Sequence, residues 1–160
     1  GWRYDVIEAG YKGNMTDMQA ALGLIALKYY DAENLPRRKE IFKFYHNEFK
    51  NYDWAELPAF KDEKRESSYH IYLLRIKKIT EFQRDQIIEE LSVHGVSVNV
   101  HFQPLPLLSA YKALGYQAKD YPVAVDLFSR LITLPVNEII TDEQLKTVSQ
   151  SIIHAVKKIS

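Results

Sequence analysis

Two short stretches of this chain hold residue types that could do chemistry. The first is Gly10-Tyr11-Lys12-Gly13-Asn14-Met15-Thr16-Asp17. Its glycines allow close backbone approach, Lys12 adds a cation and Asn14 adds amide donors, while the helix that follows presents free N–H groups and a positive dipole end. Together they could hold a phosphate. The plainer alternative is a glycine turn ahead of a capped helix, with Lys12 solvated and Asp17 complementing the dipole. The second stretch is His101-Phe102-Gln103-Pro104-Leu105-Pro106. Two prolines stiffen its exit, so His101 would project at a fixed point on the rim of a sheet, suited to a polar ligand. A rim histidine hydrogen-bonded to a nearby carbonyl is the alternative there.

Other chemistries find little support. The five histidines, His46, His70, His94, His101 and His154, show no His-x-His or His-Glu-x-x-His spacing, so no short-range metal motif exists and no metal is expected. Neither a Gly-x-Gly-x-x-Gly, a P-loop nor a Gly-x-Ser-x-Gly elbow occurs, and Ser67-Ser68 precedes a strand. With 21 Lys plus Arg against 21 Asp plus Glu, the 160-residue chain has no excess positive field for nucleic acid or an anionic membrane. Absence of cysteine removes disulfides, thiolate zinc sites and a Cys nucleophile, and suits a reducing compartment. The longest apolar run, Ala20 to Leu27, falls well short of the ~18 residues that span a bilayer. The chain opens Gly1-Trp2-Arg3-Tyr4-Asp5-Val6 without Met, and enters a strand-like segment at once, which reads as a cut or processed fragment.

The elements that must position these groups follow from capping and periodicity. Thr16 to Gln19, Thr80 to Gln83 and Thr141 to Gln144 each predict a helix start. The third helix carries Leu145, Val148, Ile152, Val156 and Ile159 on one stripe; the second turns Ile87, Ile88 and Leu91 inward and ends at Gly95. From Met18 to Leu27 only Gln19 is polar, so the first helix wants cover all round, of which one domain could supply two sides and a second domain or subunit the rest. Asp31 to Pro36 interrupts the pattern, and a helix from Pro36 to Phe49 turns Ile41, Phe42, Tyr45 and Phe49 inward. Tyr52 to Glu66 is a charged connection to Ser68–Ile76, apolar on both faces and so a central strand. Val96 to Phe102 alternates, with Ser97, Asn99 and His101 sharing one face. A helix capped by Asp120, with Pro122 in its first turn, leads to a strand from Leu131 to Val136. The first two strands would run parallel, the third antiparallel between or beside them. The fold class is α+β: a short mixed or antiparallel sheet of about three strands packed on helices.

In this order the motifs resemble the C-terminal half of the DegT/StrS family of pyridoxal-phosphate sugar aminotransferases. The likeness runs from Gly10-Tyr11-Lys12-Gly13-Asn14-Met15 and its Ala20-Ala21 helix through Arg37-Arg38-Lys39-Glu40-Ile41, Ser68-Tyr69-His70-Ile71-Tyr72, Val100-His101-Phe102-Gln103-Pro104-Leu105, Tyr121-Pro122-Val123-Ala124 and Leu134-Pro135-Val136. It covers nearly the whole chain. Gly13 stands where the family usually has an aromatic, Ala26 where a glutamine is common, and Pro106 where a histidine often follows the Pro-Leu pair.

The resemblance implies a cytoplasmic, homodimeric fold-type I enzyme. Residues 1–35 would form a linker strand, the Gly-Tyr loop and an interdomain helix, and residues 36–160 the small α+β domain. The large domain, with the Schiff-base lysine, would lie before Gly1, so no catalytic residue is expected here and the fragment alone should be inactive. The full-length enzyme would move an amino group, usually from glutamate, through pyridoxal phosphate onto a nucleotide-linked keto-sugar. By the same likeness Asn14, and after it Lys12, would reach the cofactor phosphate of the neighbouring subunit, while His101 and Tyr11 would face the nucleotide sugar. Two alternatives stand beside this: a stand-alone ligand- or partner-binding module without catalysis, and a sugar dehydratase relative.

Overall fold

The three Thr-x-x-Gln segments all start helices. In the computed structural model, which describes residues 2–159, the Thr16 hydroxyl accepts from the Gln19 amide at 3.3 Å while the Gln19 side chain accepts from the Thr16 amide at 2.9 Å. The same reciprocal pair forms at Thr80 and Gln83, and at Thr141 and Gln144. Each satisfies two amides that a bare helix end leaves open. These caps open α1 (Asp17–Tyr29), α3 (Glu81–Val93) and α6 (Asp142–Ile159). Gly95, at φ +73°, follows the end of α3 in the left-handed conformation that a glycine adopts without a Cβ penalty.

The expected break at Asp31–Pro36 is a π-helical stretch, Tyr30–Asn34, that passes directly into α2 (Leu35–Phe49). Pro36 sits in the first turn of α2, just past the π-helical stretch, where its fixed φ suits a helix, so the chain need not stop there. The Asp120 cap is not formed. A 3-10 turn holds Ala118–Asp120, and α5 (Pro122–Ser129) starts behind Tyr121 with no side-chain cap. A five-residue helix, α4 (Ser109–Ala113), comes between.

The sheet has three antiparallel strands in the order β1 (Ala55–Glu56), β2 (Tyr72–Ile76), β3 (Leu131–Leu134). β1 lies inside the stretch read as a connection, and β2 is the expected central strand, though shorter. The Val96–Phe102 strand does not form. Its alternation survives as a single antiparallel bridge from Asn99 to Thr133, on the free edge of β3. Both β2 and this segment therefore run antiparallel to β3, which lies between them, one of the two placements expected for the third strand. A ladder of one residue suffices because the chain leaves the edge again at the Gln103-Pro104 exit.

Register sorts the sheet into two faces. Tyr72 pairs with Leu134 and Leu74 with Ile132 on one; Leu73 pairs with Thr133 and Arg75 with Leu131 on the other. β2 is thus apolar on one face only, since its second face carries Arg75. The first face joins Ile41, Phe42, Tyr45 and Phe49 of α2, Ile87, Ile88 and Leu91 of α3, and Leu145, Val148, Ile152 and Val156 of α6 in one core. The Tyr72 ring lies 5.1 Å from that of Phe42 and 5.2 Å from that of Tyr45. Tyr45 directs its hydroxyl to the Pro135 carbonyl at 3.0 Å, and burial pushes both phenols well above their ordinary pKa.

Arg84 pins α3 to the start of β3. It is fully buried, donates to the carbonyls of Phe128 (2.7 Å) and Leu131 (3.1 Å), and pairs with Asp85 at 2.7 Å. Trp2 covers its guanidinium at 4.9 Å. The N-terminal segment is not a strand: beyond Gly1, which lies outside the described residues, it runs without regular secondary structure, held by side chains and by the Ala110 amide, which donates to the Val6 carbonyl at 2.7 Å. Asp5 accepts from the Ser109 amide at 2.8 Å and the Ser109 hydroxyl at 2.5 Å, capping α4 from a distance, which lowers its pKa.

α1 departs most from expectation. None of its residues is buried, and Met18, Leu22, Leu24, Ile25 and Leu27 are all exposed. The rest of the described chain covers neither of the two sides anticipated for it. Among the described residues no helix is long and apolar enough to cross a membrane.

Candidate functional site

The loop ahead of α1 is built as an open set of donors. Tyr11, Lys12 and Asn14 are exposed, and among the described residues none of the three makes a hydrogen bond or ion pair. Nothing lies within 4 Å of where a Cβ on Gly10 or Gly13 would sit. Gln19 spends its amide on Thr16, leaving the Asp17 and Met18 amides without an intrahelical acceptor beside the loop. An ammonium, a carboxamide and two backbone N–H groups at the positive end of a 13-residue helix form a donor set that fits a phosphate dianion.

His101 belongs to a different place, the second face of the sheet. Its backbone amide donates to the Thr133 hydroxyl at 3.2 Å, and Asn99 exchanges two backbone bonds with Thr133, at 2.7 and 3.1 Å. Ser97, Asn99 and His101 line one cleft, together with Val98 from the other side of the expected alternation. The cleft measures about 380 Å³ and is closed by Arg38, His70, Thr133 and Asn137. Two of its polar atoms, His101 Nδ1 and Asn137 Oδ1, are buried without a protein partner. Buried polar groups are ordinarily satisfied, so two unpartnered atoms on residues of one cleft make its polar wall a candidate place for a polar ligand, reached once those side chains turn outward. The nearby-carbonyl alternative for His101 is not seen. On its other side His101 borders an apolar groove of about 630 Å³, lined by Tyr4, Leu73, Phe102, Leu105, Leu127 and Phe128. A ligand with a polar and an apolar end could lie across both.

Sequence reasoning assigned no role to Arg38 or Asn137, which the fold brings to this cleft. Arg38 projects from α2 and donates to Glu138 at 2.7 Å and to the carbonyls of His70 (3.2 Å) and Tyr69 (3.4 Å). It ties the entry of β2 to the exit of β3. Tyr69 is held at φ +55°, a left-handed conformation costly for an aromatic residue, and Arg38 and the Ser67 hydroxyl, accepting from the Tyr69 amide at 3.0 Å, brace it. Glu138 is kept below the usual carboxylate range, first by its own backbone N–H and then by Arg38. The signal for Arg38 was present in Arg37-Arg38-Lys39. Asn137 carried none, because only the tertiary structure brings it to the same cleft as His101.

A family profile described as DegT/DnrJ/EryC1/StrS aminotransferase matches residues 2–153. An uncharacterized protein of Methanocaldococcus jannaschii is 38% identical over 99% of this chain and 40% of its own length. The UDP-4-amino-4,6-dideoxy-N-acetyl-beta-L-altrosamine transaminase of Campylobacter jejuni is 29% identical over 99% of this chain and 41% of its own. Among solved structures, the PLP-form of Spr1654 from Streptococcus pneumoniae, assigned there as a sugar aminotransferase, superposes with a TM-score of 0.87 at 38% identity, covering 100% of this chain and 40% of that one. The chain thus spans about two fifths of the length of the relatives it matches.

Proposed function

Because this chain belongs to the DegT/DnrJ/EryC1/StrS aminotransferase family, we propose that it forms the small-domain part of an enzyme that aminates a nucleotide-linked keto-sugar. The amino donor would be glutamate, the working unit a homodimer, and the compartment the cytoplasm. Residues 1–35 serve as linker, loop and interdomain helix, and residues 36–160 as the small domain. The observation that carries the reading is the pair of unpartnered atoms, His101 Nδ1 and Asn137 Oδ1, in one cleft of the second sheet face.

Two binding tasks fall to this chain. The Lys12 ammonium and the Asn14 carboxamide, with the first amides of α1, hold a phosphate through charge-assisted hydrogen bonds. Pyridoxal phosphate, once bound, supplies the carbonyl that carries the amino group and the electron sink for proton removal. His101 and Asn137 offer one ring nitrogen and one carbonyl oxygen to sugar hydroxyls, and Arg38 keeps both loops in place. Tyr11 completes the wall from the loop side. No lysine in this chain is assigned to the cofactor carbonyl, so residues 1–160 by themselves bind and orient but do not transaminate.

The test is glutamate-dependent amination of UDP- and dTDP-linked keto-sugars by the full-length protein and by its His101→Ala and Asn137→Ala variants. A rise in KM for the sugar nucleotide of roughly tenfold, the worth of one hydrogen bond, is expected with the glutamate KM unchanged. Unaltered sugar-nucleotide KM in both variants would remove the cleft from the reading.

A further inference from the structure

The packing of α3 on α6 assembles a group that neither helix holds alone. Glu90 and His94 stand four residues apart at the end of α3, and His154 projects from α6 across the same notch. One ligand atom from each lies within 4.8 Å of those of the other two. Glu90 Oε1 is 3.3 Å from His94 Nε2, and the His94 and His154 rings meet edge to face with centroids 6.0 Å apart. Gln150 and Ser151, from the preceding turn of α6, complete a notch of about 240 Å³.

We propose that Glu90, His94 and His154 bind a borderline divalent cation, Zn²⁺ or Ni²⁺, which clasps α3 to α6. Two imidazoles and one carboxylate select such ions over Mg²⁺ or Ca²⁺, which prefer all-oxygen sites. Ligand nitrogens on a tetrahedral zinc at ~2.0–2.1 Å stand about 3.3 Å apart, so the side chains must draw in by roughly 1.5 Å. Both histidines are exposed, and rotation about their side-chain bonds covers that distance. Three protein ligands leave one position for water. The site is remote in sequence from the loop at Asn14 and shares no lining residue with the His101 cleft.

One group opposes the ion. Lys158 holds both oxygens of Glu90 at 2.8 Å and must swing out before the carboxylate can ligate. Its side chain is more than half exposed, so release is open to it. The lysine therefore sets the affinity: it competes with the cation for one carboxylate.

Zn²⁺ titration of the tag-free full-length protein, read by calorimetry and by competition with a chromophoric chelator, decides the matter. We expect one ion per chain, at least tenfold weaker binding in His94→Ala and in His154→Ala, and tighter binding in Lys158→Ala. Melting curves in chelator should match wild type for both histidine variants, since neither side chain is buried, and Zn²⁺ should raise the melting temperature of wild type and of Lys158→Ala more than that of either histidine variant. Binding that is absent from wild type, unchanged in the two histidine variants, or not tightened by Lys158→Ala would overturn the assignment.

Discussion

The backbone amide of His101 donates to the side-chain hydroxyl of Thr133 at 3.2 Å, across 32 residues of sequence. With the two bonds between Asn99 and Thr133, this single residue of β3 carries the whole edge segment that presents the histidine. Thr133 is nearly fully buried. Replacing it by valine keeps the shape and removes the acceptor, leaving a part-buried N–H without its partner at a cost of about 1 kcal/mol. We predict for Thr133→Val a lower denaturation midpoint together with a several-fold higher sugar-nucleotide KM, and recovery of both in Thr133→Ser. A stability loss with KM unchanged would make Thr133 a structural residue only.

Asn14 is exposed and makes no hydrogen bond among the described residues, so its removal should leave folding alone. In the full-length protein, Asn14→Ala should weaken pyridoxal phosphate retention by roughly 10- to 100-fold, the equivalent of one charge-assisted hydrogen bond. Cofactor absorbance after exhaustive dialysis reads this directly. Lys12→Ala should have a smaller effect if the amide is the principal donor. Retention equal to wild type in Asn14→Ala would return the loop to a glycine turn ahead of a capped helix.

Arg84 gives the sharpest stability prediction. The Phe128 and Leu131 carbonyls would lose their buried donor in Arg84→Met, while Asp85 keeps Arg3 as a partner, and each buried acceptor left unsatisfied costs about 1–3 kcal/mol. Chemical denaturation should show a loss in that range. A change below about 1 kcal/mol would mean that Trp2 and Phe128, whose rings flank the guanidinium at 4.9 Å, repack around methionine.

Glu66 should report the tie between α2 and the entry to β2. Lys39 first, then Tyr69 and Lys61, hold its carboxyl down to about 2. A depressed carboxylate stabilises the fold above its unfolded pKa of 4.5, and that contribution fades as pH falls toward 2. Wild type should therefore melt above Glu66→Gln at pH 7, with the gap narrowing between about pH 4.5 and 2. A gap independent of pH would assign the effect to something other than the charge.

The helices were legible because their signals are local. A threonine that caps its own third residue needs no distant partner, and the apolar stripe of α6 names its buried face directly. The sheet was less so: Ala55–Glu56 is too short to show a period, and Val96–Phe102 alternates like a strand but finds only one place on the edge of β3. The Asp120 cap failed for a similar reason, since the preceding 3-10 turn takes that residue instead.

By itself the sequence determined the family, through motifs kept in order, and the donor-rich loop ahead of α1, whose groups are neighbours in the chain. It also marked His101 as a residue aimed out of the sheet. Only the tertiary structure decided what shares the cleft with His101, because Thr133 of β3, Asn137 beyond the end of β3 and Arg38 of α2 arrive there at separations no periodicity can encode. The same holds for Glu90, His94 and His154: two lie one helical turn apart, and the third is 60 residues on. Periodicity reports which way a side chain faces, whereas a site needs several chains of residues to face one another, and that depends on how whole elements pack.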